Sequence, residues 1–152
     1  MLIVIVNGAR VLPDEEEILE SWITETVKNL KSNDSEPVIL IEGGANGVDS
    51  LARMIGDRPP FTDCLTVHAL WDRYGSRAGP RRNGLMGMIA TALSASQDGY
   101  RAALLSIPGP TSRGSWQGAE DAVKRGLPVY MLTDYANPDR LAKFAELQAK
   151  QI

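Results

Sequence analysis

Apolar segments with the features of strands alternate along the chain with segments that have the period of helices. Continuous β-branched runs, which are typical of strands buried on both faces of a sheet, lie at Leu2–Val6 and Val38–Ile41. Three more strands are predicted at Leu65–Leu70, Ala102–Ile107 and Pro128–Leu132. Strict alternation of strands and helices produces a parallel sheet with helices on both faces. We therefore predict a single α/β domain over residues 1–152, with a doubly wound, mainly parallel five-stranded sheet.

Helices are predicted in the intervals between these strands. The first is predicted to begin at Pro13-Asp14 and to end near Lys31, because acidic residues fill its first turn and lysines its last, as the helix dipole favours. Its apolar face consists of Ile18, Leu19, Trp22, Ile23, Val27 and Leu30. The others are predicted from just after Gly47 to about Ile55, from Pro80 to about Gln97, from Trp116 to Arg125, and from Pro138 to Lys150 with Leu141, Phe144, Ala145 and Leu147 on its apolar side. The segment Trp71–Asn83 is predicted to be mostly loop.

The composition narrows the class of protein. With 152 residues, 43% apolar and 23% charged, the chain is long enough to bury a core without a disulfide or a metal. The single cysteine, Cys64, makes no intramolecular disulfide, so we expect a reducing, cytoplasmic environment. The net charge of −3 argues against a generally basic nucleic-acid binder. The longest apolar run is too short to span a bilayer and no signal peptide is recognised, so we expect no membrane partner.

The loop after the second predicted strand is a candidate ligand-binding segment, because doubly wound sheets bind ligands at the carboxyl ends of their strands. It is rich in glycine and joins a buried strand directly to a helix, so its backbone amides can approach an anion closely. Its candidate binding residues are Gly43, Gly44, Ala45, Asn46, Gly47 and Asp49. It matches neither a Walker loop nor a GxGxxG turn. The structural alternative is a tight turn with Asn46 or Gly47 at the N-cap position and Asp49 complementing the helix dipole.

The segment Trp71–Asn83 holds four arginines and one aspartate in an otherwise acidic chain. Two of the arginines, Arg81 and Arg82, are predicted in the first turn of a helix, where cations oppose the macrodipole. Arginine fits such a position if a ligand anion lies between the guanidinium and the helix amides. The candidate binding residues are Trp71, Arg73, Tyr74, Arg81, Arg82 and Asn83, with the two rings as faces for a base. The alternative is a solvated basic loop whose aromatic residues pack on the core.

The loop after the fourth strand is predicted to form a second corner that binds anions. Its candidate binding residues are Pro108, Gly109, Thr111, Ser112, Arg113, Gly114 and Ser115, with Ser115 as the N-cap of the next helix. The alternative is a flexible, turn-rich loop. His68 is predicted to be a buried structural residue in the middle of a strand, and no metal site and no cofactor are expected.

Taken together, these segments resemble the SLOG superfamily, a Rossmann-like nucleotide-binding group that includes the Lonely Guy phosphoribohydrolases and the DNA-processing proteins. The nearer resemblance is to its small YspA-like, cpYpsA-related subfamily, often found in bacteria and their phages. The turn Asn7–Arg10 is similar to the Gly-Ser-Arg turn of the family. The loop Gly43–Asp49 with Ala52 resembles the GGARGVD-x-x-A motif, and Trp71–Met86 resembles the W-x-x-x-G-x-x-A-G-x-x-R-N-x-x-M segment. The resemblance spans residues 2 to about 132.

The resemblance implies a Rossmann-like fold and a protein that binds, senses or processes nucleotides or ADP-ribose-like ligands. The implied pocket is lined by Gly8, Ala9 and Arg10, by the loop Gly43–Asp49, and by Arg82 with Asn83. In the phosphoribohydrolases a P-G-G-x-G-T-x-x-E motif follows the fourth strand, and its glutamate is catalytic. Here Gly118 stands at that place and Glu120 follows two residues later.

Three hypotheses about function follow. The first is a binding protein for a nucleotide-derived small molecule, acting as a sensor or sequestering agent. The second is a phosphoribohydrolase that cleaves the N-glycosidic bond of a nucleoside monophosphate, with Asp49, Glu42 or Glu120 as the carboxylate that this chemistry needs. The third, binding of single-stranded DNA, is disfavoured by the acidity of the chain and by the lack of a long basic stripe.

The helix predicted over Pro80–Gln97 is apolar or small on nearly every face. A helix that is apolar all round must be covered on all sides, and one sheet covers only one of them. We therefore predict a homo-oligomer, most simply a two-fold dimer, in which Gly84, Gly87 and Ala95 let a partner helix approach closely. Lonely Guy proteins, which the chain resembles, are also dimers or larger.

Overall fold

The computed structural model describes residues 1–12 and 14–151, in which a sheet of five parallel strands forms the centre. Pro13 and Ile152 lie outside the described residues. The strands are β1 (Leu2–Gly8), β2 (Val38–Glu42), β3 (Asp63–Thr66), β4 (Arg101–Ile107) and β5 (Val129–Met131). Their order is β3-β2-β1-β4-β5, and neighbouring strands are parallel. This order confirms the predicted doubly wound α/β fold and places the reversal of strand order between β1 and β4.

Helices cover both faces of the sheet, as the alternation of elements predicts. They are α1 (Glu16–Leu30), α2 (Val48–Ile55), α3 (Trp71–Tyr74), α4 (Ala78–Ala95), α5 (Gly114–Lys124) and α6 (Pro138–Lys150), with a 3-10 turn at Gly75–Arg77. Side chains of β1 alternate between two buried clusters. Leu2, Val4 and Val6 pack with α1 and α2, whereas Ile3 and Ile5 pack with α4 and α5. Burial on both faces explains why β1 is a continuous apolar run.

The third strand is shorter and lies earlier than predicted. It covers Asp63–Thr66 instead of Leu65–Leu70, and its register with β2 ends at the pair Glu42 and Thr66. As an edge strand it pairs with β2 alone, so it ends where β2 ends. One further bond, from Val67 N–H to the Glu42 carbonyl at 2.9 Å, follows the strand. The prediction for His68 is therefore wrong: His68 lies beyond the strand and is exposed.

The segment Trp71–Asn83, predicted to be mostly loop, is helical. It contains α3, the 3-10 turn and the first third of α4, which begins at Ala78 rather than at Pro80. Proline is compatible with the first turn because N–H groups there have no intrahelical acceptor. Arg81 and Arg82 are consequently the fourth and fifth helical residues, so they lie beyond the first three N–H groups and oppose the dipole less than predicted.

Several other boundaries differ from the prediction. Helix α5 begins at Gly114, so Ser115 lies inside its first turn and the N-cap residue is Arg113. Helix α1 begins at Glu16, after Asp14, and Pro13 of its predicted start lies outside the described residues. Two residues assigned to buried faces, Ile18 and Ala145, are exposed because the buried faces of these helices are narrower than the apolar pattern. No described helix is both long and apolar enough to cross a membrane.

Helix α4 exposes part of its apolar surface. Met86 and Ala90 are buried in the core, whereas Leu85 and Met88 are 42% and 53% exposed. Gly87, which was predicted to face a partner helix, is instead used within the chain, because a Cβ there would lie 2.3 Å from Asp121 Oδ2 in α5.

Candidate functional site

A cavity lies at the point where the strand order reverses. The last residues of β1 and β4, Gly8 and Ile107, are partners in the register. Both line a cavity of about 670 Å³ at the carboxyl ends of these strands. This is the edge of the sheet at which doubly wound folds bind ligands.

The turn that follows β1 is held tightly between β4 and α2. Ala9 N–H donates to the Ile107 carbonyl at 2.9 Å, and Val48 N–H donates to the Ala9 carbonyl at 3.0 Å. A Cβ on Gly8 would lie 2.5 Å from the Ile107 oxygen, and one on Gly47 would lie 2.2 Å from the Ala9 oxygen. Gly47, with φ of 78°, is the N-cap of α2, as one of the two predicted alternatives proposed. Glycine is needed at both positions because backbone approaches backbone.

The glycine-rich loop after β2 directs amides toward the protein's own carboxylates. Gly44 N–H donates to Glu42 Oε2 at 2.6 Å, and Ala45 N–H donates to Asp49 Oδ2 at 3.2 Å. Glu42 is fully buried, accepts a bond from the Thr66 hydroxyl and lies 3.4 Å from the Arg53 guanidinium. Glu42 therefore serves the loop structure and lies outside the cavity wall. The amides of Gly44 and Ala45 are already used.

Asp49 and Arg82 face the cavity from opposite elements. Burial raises the pKa of the Asp49 carboxyl, and the hydrogen bond from Ala45 N–H and the charge of Arg82 offset this only in part. Burial likewise lowers the pKa of the Arg82 guanidinium, while the charge of Asp49 acts in the other direction. A buried carboxyl and a half-buried guanidinium that interact in a cavity are typical of functional sites.

Arg82 is held in place by the residues around it. Its Nη1 donates to the Gly43 carbonyl and its Nε donates to Asn83 Oδ1 at 3.0 Å. A Cβ on Gly43 would lie 2.6 Å from Arg82 Nη1, so the glycine makes room for the guanidinium. Asn83 Nδ2 in turn donates to the Gly114 carbonyl at 3.2 Å. The β2–α2 loop, α4 and the start of α5 are thus joined by one polar network.

The start of α5 supplies unused backbone donors. The first bond of this helix runs from Gln117 N–H to the Arg113 carbonyl at 3.1 Å. The N–H groups of Gly114, Ser115 and Trp116 consequently have no acceptor within the helix. The preceding loop is folded on itself, because Gly109 N–H donates to Ser112 Oγ at 2.8 Å. Free amides at the positive end of a helix form a site for anions.

The aromatic residues predicted to stack on a base are covered by the chain's own arginines. The guanidinium carbons of Arg81 and Arg73 lie 4.0 Å and 5.4 Å from the centre of the Tyr74 ring. The Arg10 guanidinium lies 5.7 Å from the centre of the Trp71 ring. These rings lie outside the cavity wall, and Trp71 contacts the cavity residue Arg10.

The structure brings many of the sequence-predicted candidates together around the cavity. They are Gly8, Ala9, Arg10, Ala45, Asp49, Arg82, Asn83, Gly109, Thr111, Ser112, Arg113, Gly114 and Ser115. The candidates that lie outside its wall are Gly43, Gly44, Asn46, Gly47, Trp71, Arg73, Tyr74, Arg81 and Pro108, together with the carboxylate candidates Glu42 and Glu120.

Other wall residues were not among the predicted binding residues. They are Asn7, Val11, Leu12, Met86, Ile107, Pro110 and Tyr135. The sequence could have identified Asn7, since it is a polar residue at the carboxyl end of an otherwise apolar strand. It could not have identified Tyr135, because the position of this residue depends on a hydrogen bond from its hydroxyl to Glu15, which precedes α1. That bond raises the pKa of Tyr135 to about 12.

Gly118 faces Asn7 across the wall. A Cβ on Gly118 would lie 2.5 Å from Asn7 Nδ2. The place at which the resemblance would put a glutamate is therefore filled by the Asn7 amide.

Comparison with known proteins adds no relative. The chain matches no model of a protein family and no curated protein sequence. Within residues 1–12 and 14–151, no group of three or more His, Cys, Asp and Glu side chains is arranged to hold a metal ion.

Proposed function

We propose that this protein binds a nucleotide or a nucleotide-derived, ADP-ribose-like ligand and acts as a sensor or sequestering protein. The observation that carries the proposal is the cavity between the carboxyl ends of β1 and β4, which is lined by the start of α5 with its free amides and by half-buried Arg82. Its volume of about 670 Å³ lies within the range of roughly 300–1,000 Å³ that is usual for small-molecule sites.

The phosphate of such a ligand is expected at the start of α5. The amides of Gly114, Ser115 and Trp116 are free of intrahelical acceptors, and Arg113 and Arg82 line the cavity beside them. Guanidinium groups bind phosphate oxygens in pairs of parallel hydrogen bonds. The amides of Gly44 and Ala45 in the β2–α2 loop already have protein acceptors, so α5 is the better phosphate site.

The base is expected against the apolar wall. Val11, Leu12, Pro110 and Tyr135 contribute that wall, and Val11 is 82% exposed. An apolar side chain left open to solvent at the rim of a cavity gains from being covered by a flat ligand ring. The cavity therefore has a charged region for phosphate and an apolar region for a base.

The test is a binding screen on the full chain. We expect the unfolding temperature to rise with at least one member of a panel of nucleoside mono- and diphosphates, cyclic nucleotides and ADP-ribose, because a ligand that binds only the folded state stabilises it. Calorimetry then gives the affinity, and Arg82→Ala tests the site. Glu120→Gln serves as a control outside the cavity wall. No response to any member of the panel contradicts the proposal.

A second candidate function is hydrolysis of an N-glycosidic bond. Asp49 favours it, since this carboxyl lines the cavity and burial raises its pKa, as is common for groups that transfer protons. Gly118 counts against it, because the residue that the resemblance implies as catalytic is missing and its space is filled. Binding without turnover is therefore the preferred reading.

A further inference from the structure

One wall of the cavity contains polar atoms that have no partner. Asn7 and Ser115 both line the cavity and are 7% and 5% exposed. Asn7 Nδ2 donates to the Ser115 carbonyl at 3.3 Å. Asn7 Oδ1 and Ser115 Oγ, however, have no hydrogen-bond partner in the part of the chain that the structure describes. Buried polar atoms are nearly always paired. Both atoms are closed to solvent, so a partner from outside the protein reaches them after a small rotation of the two side chains.

A third unpaired atom lies next to them. Ser106 is the register partner of Asn7 in β4 and is fully buried. Its Oγ also lacks a partner among the described residues. Register partners in a parallel ladder project to the same face of the sheet, so the polar cluster continues behind the cavity wall. The cluster therefore contains hydrogen-bonding atoms that have no partner among the described residues.

Gly118 shows that the fold makes room for the Asn7 amide. A Cβ on Gly118 would lie 2.5 Å from Asn7 Nδ2. The five residues before Asn7 are apolar and buried, and a further apolar side chain there would need no hydrogen-bond partner. Packing alone therefore does not account for the asparagine.

The chemistry of the unpaired atoms selects the group that binds them. The orientation of the amide is fixed because Nδ2 faces the Ser115 carbonyl, which leaves Oδ1 as an acceptor in need of a donor. Phosphate oxygens are acceptors and do not satisfy it. A hydroxyl group donates and accepts, and two adjacent hydroxyls match an amide oxygen beside a serine hydroxyl.

We propose that Asn7 and Ser115 bind the hydroxyl groups of a pentose and make the site selective for ribose over deoxyribose. The inference rests on the proposed nucleotide function and specifies which part of the ligand this wall recognises. In this arrangement the sugar lies at Asn7 and the Ser115 hydroxyl, and the phosphate lies toward Arg113, which lines the same cavity.

The experiment compares pairs of nucleotides that differ only in the sugar. The full chain is titrated calorimetrically with AMP, GMP, CMP and UMP and with the 2′,3′-dideoxy form of each. For the base that binds best, we expect the ribonucleotide to bind at least about tenfold more tightly, equivalent to about 1.4 kcal/mol. In Asn7→Leu we expect the two forms to bind within about twofold of each other. Asn29→Leu, an exposed site on α1, is the matched control and keeps the preference.

Three results would overturn the inference. Equal binding of the two forms by the natural chain removes it while leaving nucleotide binding intact. A full preference in folded Asn7→Leu assigns the recognition to other residues. If none of the eight nucleotides binds, the inference is also refuted. The proposed function is refuted with it only if the nucleoside diphosphates, the cyclic nucleotides and ADP-ribose do not bind either. If Asn7→Leu does not fold, Ser115→Ala takes its place, and the same loss of preference is expected.

Discussion

The Asn7 amide occupies the space that a side chain at residue 118 would need, with Nδ2 only 2.5 Å from the position of a Cβ on Gly118. The two residues lie on β1 and α5, so the strand and the helix approach each other closely at the cavity wall. A side chain at position 118 and the present position of the Asn7 amide exclude each other. This relationship leads to the first prediction.

Gly118→Ala is expected to destabilise the protein. Replacing a glycine by alanine inside a helix normally stabilises by about 0.5–1 kcal/mol. Here the added methyl group collides with Asn7, and overpacking costs about 1–3 kcal/mol. Urea denaturation measures the difference. Gly84→Ala in α4, where nothing in the chain lies within 4 Å of the new Cβ, is the matched control and should stabilise when both variants are made in the monomeric Leu85→Glu, Met88→Glu background. If Gly118→Ala stabilises equally, or if adding Asn7→Ala does not restore stability, the close contact is refuted.

Arg82→Ala is expected to weaken ligand binding by about 1.5–3 kcal/mol, the usual contribution of a hydrogen bond to a charged group. It should also lower the stability of the free protein, because the guanidinium donates to the Gly43 carbonyl and to Asn83. In the first turn of its helix, where the sequence placed it, Arg82 would only oppose the dipole, and its loss would not destabilise the fold. Calorimetry and urea denaturation test the two effects separately. Unchanged affinity would remove Arg82 from the site.

The pH dependence of stability should report Asp49. Burial raises the pKa of Asp49 in the folded state above its unfolded value of about 3.9. Below that value both states are protonated, and as the pH rises toward and through the folded pKa the unfolded state ionises more readily. The natural chain should therefore lose stability relative to Asp49→Asn from about pH 4 upward. Urea midpoints of both proteins between pH 4 and 8 measure this, and a difference independent of pH contradicts it.

Glu36 provides an opposite control for the same titration. Burial acts to raise its pKa, but the hydrogen bond from Ser32 N–H and the charge of Arg101 outweigh it, so the pKa of Glu36 is lowered. The stability that Glu36 contributes is present above its unfolded pKa and is lost as the pH falls through the folded value. Glu36→Gln should therefore change the curve in the direction opposite to Asp49→Asn.

No appreciable release of base is expected from AMP, GMP or CMP. Gly118 provides neither a charge to stabilise an oxocarbenium ion nor a base to activate water, and general acid–base catalysis is typically worth about 10²–10⁴-fold. Glu120 lies outside the cavity wall. Chromatography of each nucleotide after incubation measures free base. Turnover at typical enzyme rates that is lost in Asp49→Asn would replace the binding proposal with the hydrolase.

A dimer is expected to form through α4. Leu85 and Met88 are three residues apart, on one side of the helix, and both are exposed. Light scattering at micromolar concentration should give twice the mass of one chain. The double variant Leu85→Glu, Met88→Glu should give the mass of one chain. Ile18→Glu removes an exposed apolar residue of α1 and should leave the dimer unchanged. If the natural chain gives the mass of one chain, the predicted dimer is refuted.

Strands buried on both faces were the easiest part of the fold to predict. Residues 2–6 of β1 are apolar without a break because both faces are covered. The edge strand β3 alternates between exposed and half-buried positions. The residues after it are more apolar, so the strand was predicted too close to the C-terminus. Helix α3, the 3-10 turn and the start of α4 at Ala78 were missed because tertiary packing overrides local preference, with the Trp71 ring lying 3.2 Å from the position of a Cβ on Gly79.

In the candidate site, the predictable residues belong to short motifs. Gly8 and Arg82 stand in local patterns whose chemistry is visible in a few neighbouring residues. The position of Asn7 depends on Gly118, and that of Tyr135 depends on Glu15 at a separation of 120 residues. Contacts made across such separations leave no local periodicity, so a single sequence does not reveal them.

The central position of β1 has a consequence for synthesis of the chain. One edge of β1 pairs with β2 soon after both are made, but the other edge must wait for β4. Until then an apolar strand presents unpaired backbone groups, which is the arrangement most prone to pairing with other chains. The segment that closes this edge also completes the cavity, since Ile107 and the start of α5 are part of its wall. Truncated chains that end before β4 should therefore aggregate and should not bind the ligand. Ligand binding would show that β4 has paired with β1 in the full chain.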